Sequence, residues 1–128
     1  MARVFVYGTL TDCEQVETLL DRFTFGSNAT LRGLQRIEGQ YPTLAPGGEV
    51  DGRLLETPEI DRLDAYEGVE SGLYTRESIP VASGGSAECY VGDPELLEAD
   101  AEWPGTGPFA DRVRAYVSER EVGIDPAD

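Results

Sequence analysis

Histidine and lysine are absent from the 128 residues, and there are only two cysteines, one tryptophan and one methionine. Without histidine a Cys-His nucleophile cannot be assembled. Cys13 and Cys89 stand far apart with no CxxC pair, so a zinc site of the usual kind is excluded too, and both thiols read as structural or incidental. No metal site is expected. No stretch approaches the ~20 apolar residues of a membrane span, and the N-terminus has no apolar run long enough for a signal peptide, so a cytoplasmic protein is expected. The ten basic residues are all arginine and stand against 25 acidic ones, for a net charge of -15. Such an excess repels phosphate backbones and anionic lipid, which argues against nucleic acid and membrane as partners. An acidic surface without lysine resembles adaptation to concentrated salt, in which self-repulsion is screened.

The rest of the composition, 40% hydrophobic and 27% charged, is that of a folded domain. One domain over residues 1–121 and a frayed acidic tail over residues 122–128 are expected. The chain is organised around Val4-Phe5-Val6-Tyr7, a run of bulky β-preferring residues that reads as a central strand buried on both faces. Gly8 ends it, and Thr11 with Glu14 has the spacing of a capping box. Strand, glycine turn and helix start leave backbone N–H groups able to receive an anionic group, which makes Tyr7, Gly8, Thr9 and Leu10 candidate binding residues. A plain strand-to-helix turn has the same pattern. Val16, Leu19, Leu20 and Phe23 then give the stripe of an amphipathic helix over residues 11–22.

Residues 25–28 read as a turn, residues 29–37 as a strand, and residues 40–44 as a short extended piece broken by Pro42. Residues 45–48 form a second turn before a strand over residues 50–56. Thr57, Pro58 and Glu59 open a helix, with Thr57 as N-cap and Pro58 at the first helical position, and Gly68 stops it. Ile60 and Leu63 mark its apolar face, and at about 100° per residue Glu67 projects between them. A carboxylate aimed at the core finds hydrogen bonds, takes a proton, or lines a cavity. Two companions are at hand: Asp64 on the same side, and Arg76, with which Glu67 would form an ordinary buried ion pair. Residues 73–81 and 87–91 read as a hairpin, residues 93–108 as an irregular connection, and Phe109, Val113, Tyr116 and Val117 as a last helix.

Val6-Tyr7-Gly8-Thr9-Leu10, Tyr41-Pro42, Val50-Asp51-Gly52, Leu63-Asp64-Ala65-Tyr66-Glu67-Gly68 and Tyr74-Thr75-Arg76 follow one another in an order and spacing that resemble the γ-glutamylcyclotransferase-like superfamily. The resemblance implies an α+β fold, a single small domain with a mixed, partly closed β-barrel flanked by helices and a cavity at one end. It also implies a cofactor-independent reaction on a small-molecule γ-glutamyl substrate, whose α-amine attacks its own γ-carbonyl to give 5-oxoproline and a free amine. Glu67 takes the place of the family's general base and acid, and residues 7–10 that of the turn cradling the glutamyl group. Tyr74 is a further substrate-binding candidate, or else a barrel-face aromatic; Tyr41 and Pro42 read as structural, and Arg76 stays outside the catalytic set. An enzyme of the same fold acting on another amide conjugate, and a non-catalytic module binding γ-glutamyl-like ligands, remain the alternatives. The oligomeric state is left open. The acidic surface leads to one expectation: the thermal midpoint should rise from dilute buffer to about 1 M KCl, where the Debye length falls to about 3 Å. A midpoint that stays level or drops would remove the salt-adaptation reading.

Overall fold

The computed structural model describes residues 2–8 and 11–127. Its centre is β1 (Ala2–Val6), whose Val4, Phe5 and Val6 are at most 3% exposed. Successive side chains alternate across the sheet. Phe5 joins Leu31, Leu34, Leu44 and Ile79 on the inside of the curl, while Val4 and Val6 pack outward with Val16 and Leu63. The strand is thus buried on both faces, as its composition requires.

Around it lies one six-stranded sheet in the order β4-β5-β1-β3-β2-β6, formed with β2 (Thr24–Ile37), β3 (Thr43–Thr57), β4 (Tyr74–Pro80), β5 (Ser86–Gly92) and β6 (Gly123–Pro126). β1 runs parallel to β5, and every other neighbouring pair is antiparallel. The two outer strands approach each other where Val81 bridges Ile124 and the Ala82 N–H donates to the Ile124 carbonyl at 2.8 Å. The sheet is therefore a partly closed barrel, in keeping with the expected α+β fold. Its curl needs Gly52: a Cβ there would stand 2.7 Å from Cζ of Phe5, so only glycine lets β3 lie this close to the central strand.

Several boundaries differ from the sequence expectations, each for a physical reason. Residues 25–28 and 45–48 are not turns but lie within the long strands β2 and β3. The pairing shifts register between Phe25 and Asn28, and again between Arg32 and Leu34, where Gly33, Gly47 and Gly48 take positive φ. Bulges draw on the same glycine and small polar residues that turns do. The first helix is shorter, α1 (Cys13–Leu19), and Asp12 caps it by accepting the Glu14 N–H at 3.0 Å. Thr11 is not the cap: its hydroxyl donates to the Gly8 carbonyl at 2.7 Å. Thr57 is the last residue of β3, and the second helix, α2 (Ile60–Glu67), has Glu59 at its N-cap position. The Thr57 hydroxyl still accepts the Glu59 N–H at 3.0 Å, tying strand to helix. Gly68 ends α2 as expected, at φ 69°.

A short helix, α3 (Pro94–Leu97) capped by Asp93, stands inside the segment read as irregular. The last helix, α4 (Phe109–Glu119), buries Val113 and Val117 against the inside of the barrel. Beyond it the chain is no frayed tail. β6 pairs with β2, and Val122 and Ile124 are buried. Among the described residues no helix is long and apolar enough to cross a membrane. Ile124→Ala is expected to lower unfolding free energy by about 2–4 kcal/mol through the cavity it leaves at the barrel closure. Urea denaturation measures this, and an unchanged midpoint would mean that the segment does contribute nothing to the core.

Candidate functional site

The C-terminal end of β1, the segment entering β3, the end of α2 and the β4–β5 hairpin surround a cavity of about 330 Å³. Five of the six tyrosines line it, Tyr7, Tyr41, Tyr66, Tyr74 and Tyr90. Phe5, Val6, Pro42 and Leu73 complete its apolar wall, and Gly8 and Glu67 stand at its edge. No arginine is among these lining residues.

Glu67 is placed by the end of its helix. The αL conformation of Gly68 stops α2 directly after it, and Leu63, one turn earlier and fully buried, presses the helix onto the sheet. Desolvation in this setting raises the carboxyl from 4.5 to about 7. The C-terminal end of a helix dipole acts in the same direction, because it disfavours negative charge. The ion pair considered for Glu67 is formed elsewhere. Arg76 Nη1 donates to both oxygens of Asp64, at 2.9 and 3.1 Å, and its Nε stands 3.7 Å from Glu88. Asp64 is thus the partner of Arg76 and not of Glu67, and it also accepts the Tyr90 hydroxyl at 2.7 Å.

Burial raises the hydroxyls of Tyr7, Tyr74 and Tyr90 well above their usual value, so all three are neutral near pH 7. Their protons are committed within the protein: Tyr7 donates to the Tyr90 carbonyl at 2.6 Å and Tyr74 to the Pro42 carbonyl at 2.7 Å. Each oxygen retains capacity to accept a hydrogen bond from a ligand. Tyr74 is thus both a barrel-face aromatic and a cavity wall. Tyr41 and Pro42, read from sequence as structural, face the cavity as well.

Gly8 borders the cavity without being required by the fold. Its φ lies outside the left-handed region, and among the described residues a Cβ there would meet only Pro42, at an ordinary 3.8 Å. Thr9 and Leu10 lie outside the described residues. The described residues on either side of them are held by partners that local pattern could not reveal. Arg36 donates to the Tyr7 carbonyl at 3.1 Å, and Arg53 to the Thr11 carbonyl at 3.4 Å. Tyr90 was missed also; its only sequence signal is membership of a tyrosine set that gathers at one place. Among the described residues no group of three or more Cys, Asp and Glu is arranged to hold a metal ion. What the arrangement offers is one carboxyl poised between its two protonation states near neutrality, in a largely apolar cavity bordered by hydrogen-bond acceptors.

A family model described as gamma-glutamyl cyclotransferase, AIG2-like matches residues 4–106. AIG2-like protein A of Arabidopsis thaliana is 34% identical over 90 residues, which cover 66% of this chain and 54% of that protein. The chain thus spans about half the length of this curated relative. A solution structure of another Arabidopsis thaliana protein superposes with a TM-score of 0.57 at 28% identity, covering 93% of this chain and 85% of that one. A solved protein named gamma-glutamyl cyclotransferase has a TM-score of 0.59 at 20% identity, covering 72% and 66%, and shares the fold.

The raised carboxyl of Glu67 has a signed consequence for stability. The folded protein holds this proton more tightly than the unfolded chain, so the contribution is fully present below pH 4.5 and is lost as pH rises through about 7. Glu67→Gln is therefore expected to match the native stability near pH 4.5 and to exceed it by about 3 kcal/mol near pH 8. Denaturant titrations at the two pH values test this; a difference that does not grow with pH would mean that Glu67 ionises as it does in the unfolded chain.

Proposed function

The chain belongs to the gamma-glutamyl cyclotransferase, AIG2-like family, and from that premise we propose that it converts a γ-glutamyl amine or peptide to 5-oxoproline and a free amine, with Glu67 carrying the proton. The observation that bears most weight is the placement of Glu67: a carboxyl raised to about 7, without an arginine partner, bordering a cavity that begins at Tyr7 and Gly8. A carboxyl of ordinary acidity would be a poor proton donor to a departing amine; one that titrates near neutrality serves as acceptor and donor in turn.

In this reading the glutamyl moiety enters with its reacting carbonyl beside Gly8, and the backbone N–H groups that follow it, those of Thr9 and Leu10 included, supply donors for the α-carboxylate and the developing oxyanion. The α-amine, as free base, attacks the γ-carbonyl carbon. As the new C–N bond forms, the carbonyl pair moves onto oxygen and the amine's proton passes to the Glu67 carboxylate. Collapse of the tetrahedral intermediate re-forms the carbonyl and breaks the C–N bond to the leaving amine, which takes the proton back from Glu67. One substrate gives one lactam and one amine, and the carboxylate is restored. Holding amine and carbonyl together in a small cavity supplies the proximity that ring closure needs. Tyr74 and Tyr7 form walls and accept hydrogen bonds from the substrate.

The absence of arginine from the described cavity wall, with the chain's charge of -15, favours leaving groups that carry no carboxylate. In a panel of γ-glutamyl amines and γ-glutamyl dipeptides, the amines should therefore be turned over faster. Glu67→Gln should cut 5-oxoproline release by about 10²–10⁴-fold while ligand still binds. Gly8→Ala should leave stability within about 0.5 kcal/mol and raise KM, because its methyl group projects toward the substrate. If the native protein binds these compounds but releases no 5-oxoproline, the chain is a binding module; turnover of some other amide conjugate alone would make it an enzyme of different substrate class.

A further inference from the structure

We propose that Asp64 is a positioning residue for the proton carrier: by engaging the Arg76 guanidinium and the Tyr90 hydroxyl together, it fixes α2 against the β4–β5 hairpin and keeps the Arg76 charge away from Glu67. The consequence for catalysis rests on the role given to Glu67 above, but the contact can be tested on Glu67 alone.

The geometry makes the competition real. Asp64 and Glu67 are three residues apart on α2, so they are neighbours on one helix face, about 5–6 Å apart at their Cβ atoms. Arg76 lies two residues beyond Tyr74 on β4, on the same face of the sheet, and Tyr74 shares the cavity wall with Glu67. A guanidinium held at Asp64 is thus within a side-chain swing of Glu67. It is restrained by two bonds to Asp64 and by Glu88 of β5 behind it. Arg62, also on α2, is engaged near the helix start with Asp21 and Glu59.

The other titratable groups facing Glu67 do not supply a competing charge. They are Tyr7, which directly follows β1, Tyr74 of β4, and Cys89 and Tyr90 of β5, all of which burial keeps protonated at neutral pH. Tyr41 and Tyr66 complete the ring around the cavity. The nearby ionised groups are therefore Arg76 with its two carboxylates, Asp64 and Glu88. While Asp64 balances Arg76, Glu67 experiences mainly desolvation and remains a usable proton carrier. A guanidinium released onto Glu67 would hold it ionised and make it a weak donor to the leaving amine.

The test is an NMR titration of the Glu67 side-chain carboxyl, in the native protein and three variants, with no substrate present. In Asp64→Asn the midpoint should fall by about 1–2 pH units. In Asp64→Asn/Arg76→Met, which removes both charges, it should return close to the native value. In Arg76→Met alone, which leaves Asp64 unpaired one turn away, it should rise. Should Asp64→Asn fail to fold, the other two variants carry the test. A midpoint unchanged in Arg76→Met, or lowered as much in the double variant as in the single one, would overturn the proposal by showing that Asp64 acts only as a structural tie. Because the readout needs no turnover, a protein that forms no 5-oxoproline would count against the enzymatic reading and leave this result standing.

Discussion

A carboxyl held half-buried at the end of a helix, with no cation beside it among the described residues, is the constraint on which the rest of the site depends. Burial costs the charged form several-fold more than the neutral one, and ordinary proteins relieve that cost with an ion pair. Here the available arginine is engaged one helical turn away, at Asp64, and Glu67 stays unpaired. Three features keep it so. Gly68 stops the helix directly after it, Leu63 pins the helix to the sheet, and a wall of tyrosines surrounds it. The perturbed acidity follows from this arrangement, and the proposed proton transfer rests on it.

The barrel provides the place in which this can happen. β1 is buried on both faces and ends at the cavity, so Tyr7 and Gly8 follow directly from a strand of the core. Gly52 lets β3 pass close to Phe5, and Arg36 and Arg53, from β2 and β3, hold the carbonyls of Tyr7 and Thr11. On the opposite side of the cavity, α2 is tied to β4 and β5 through Asp64, Arg76 and Tyr90. The Tyr7–Gly8 side and the Glu67 side of the cavity are thus anchored to neighbouring strands of one sheet. The proposed ring closure, governed by proximity, would need such support.

Much of this was legible in the sequence where the signal is local. The run Val4-Phe5-Val6 announced a central strand, the spacing of Ile60, Leu63 and Glu67 turned a carboxyl toward the sheet, and Gly68 marked the helix end. Local rules failed where two structures use the same residues. Gly47-Gly48 and the stretch before Asn28 make bulges and would equally make turns, and Thr11 and Asp12 are adjacent candidates for one cap. They also failed where the partner is distant in sequence. Residues 123–126 become a strand only because β2 and Val81 lie ready to receive them, and the choice of Arg76 between Asp64 and Glu67 depends on how helix and hairpin dock. The motif resemblance pointed to the fold and to the end of the barrel that carries the cavity. It could not show Tyr90 or the arginines behind the turn, whose roles arise from packing between strands.

The most direct measurement is the pH dependence of kcat/KM for 5-oxoproline formation from a γ-glutamyl amine. If Glu67 carries the proton, the rate should fall on the acid side with an apparent pKa near 7, matching the titration of its carboxyl in the free protein. An acid limb near the 4.5 of an unperturbed glutamate, or a rate that stays level across that interval, would contradict the account, because the carboxyl's burial would then have no part in the chemistry.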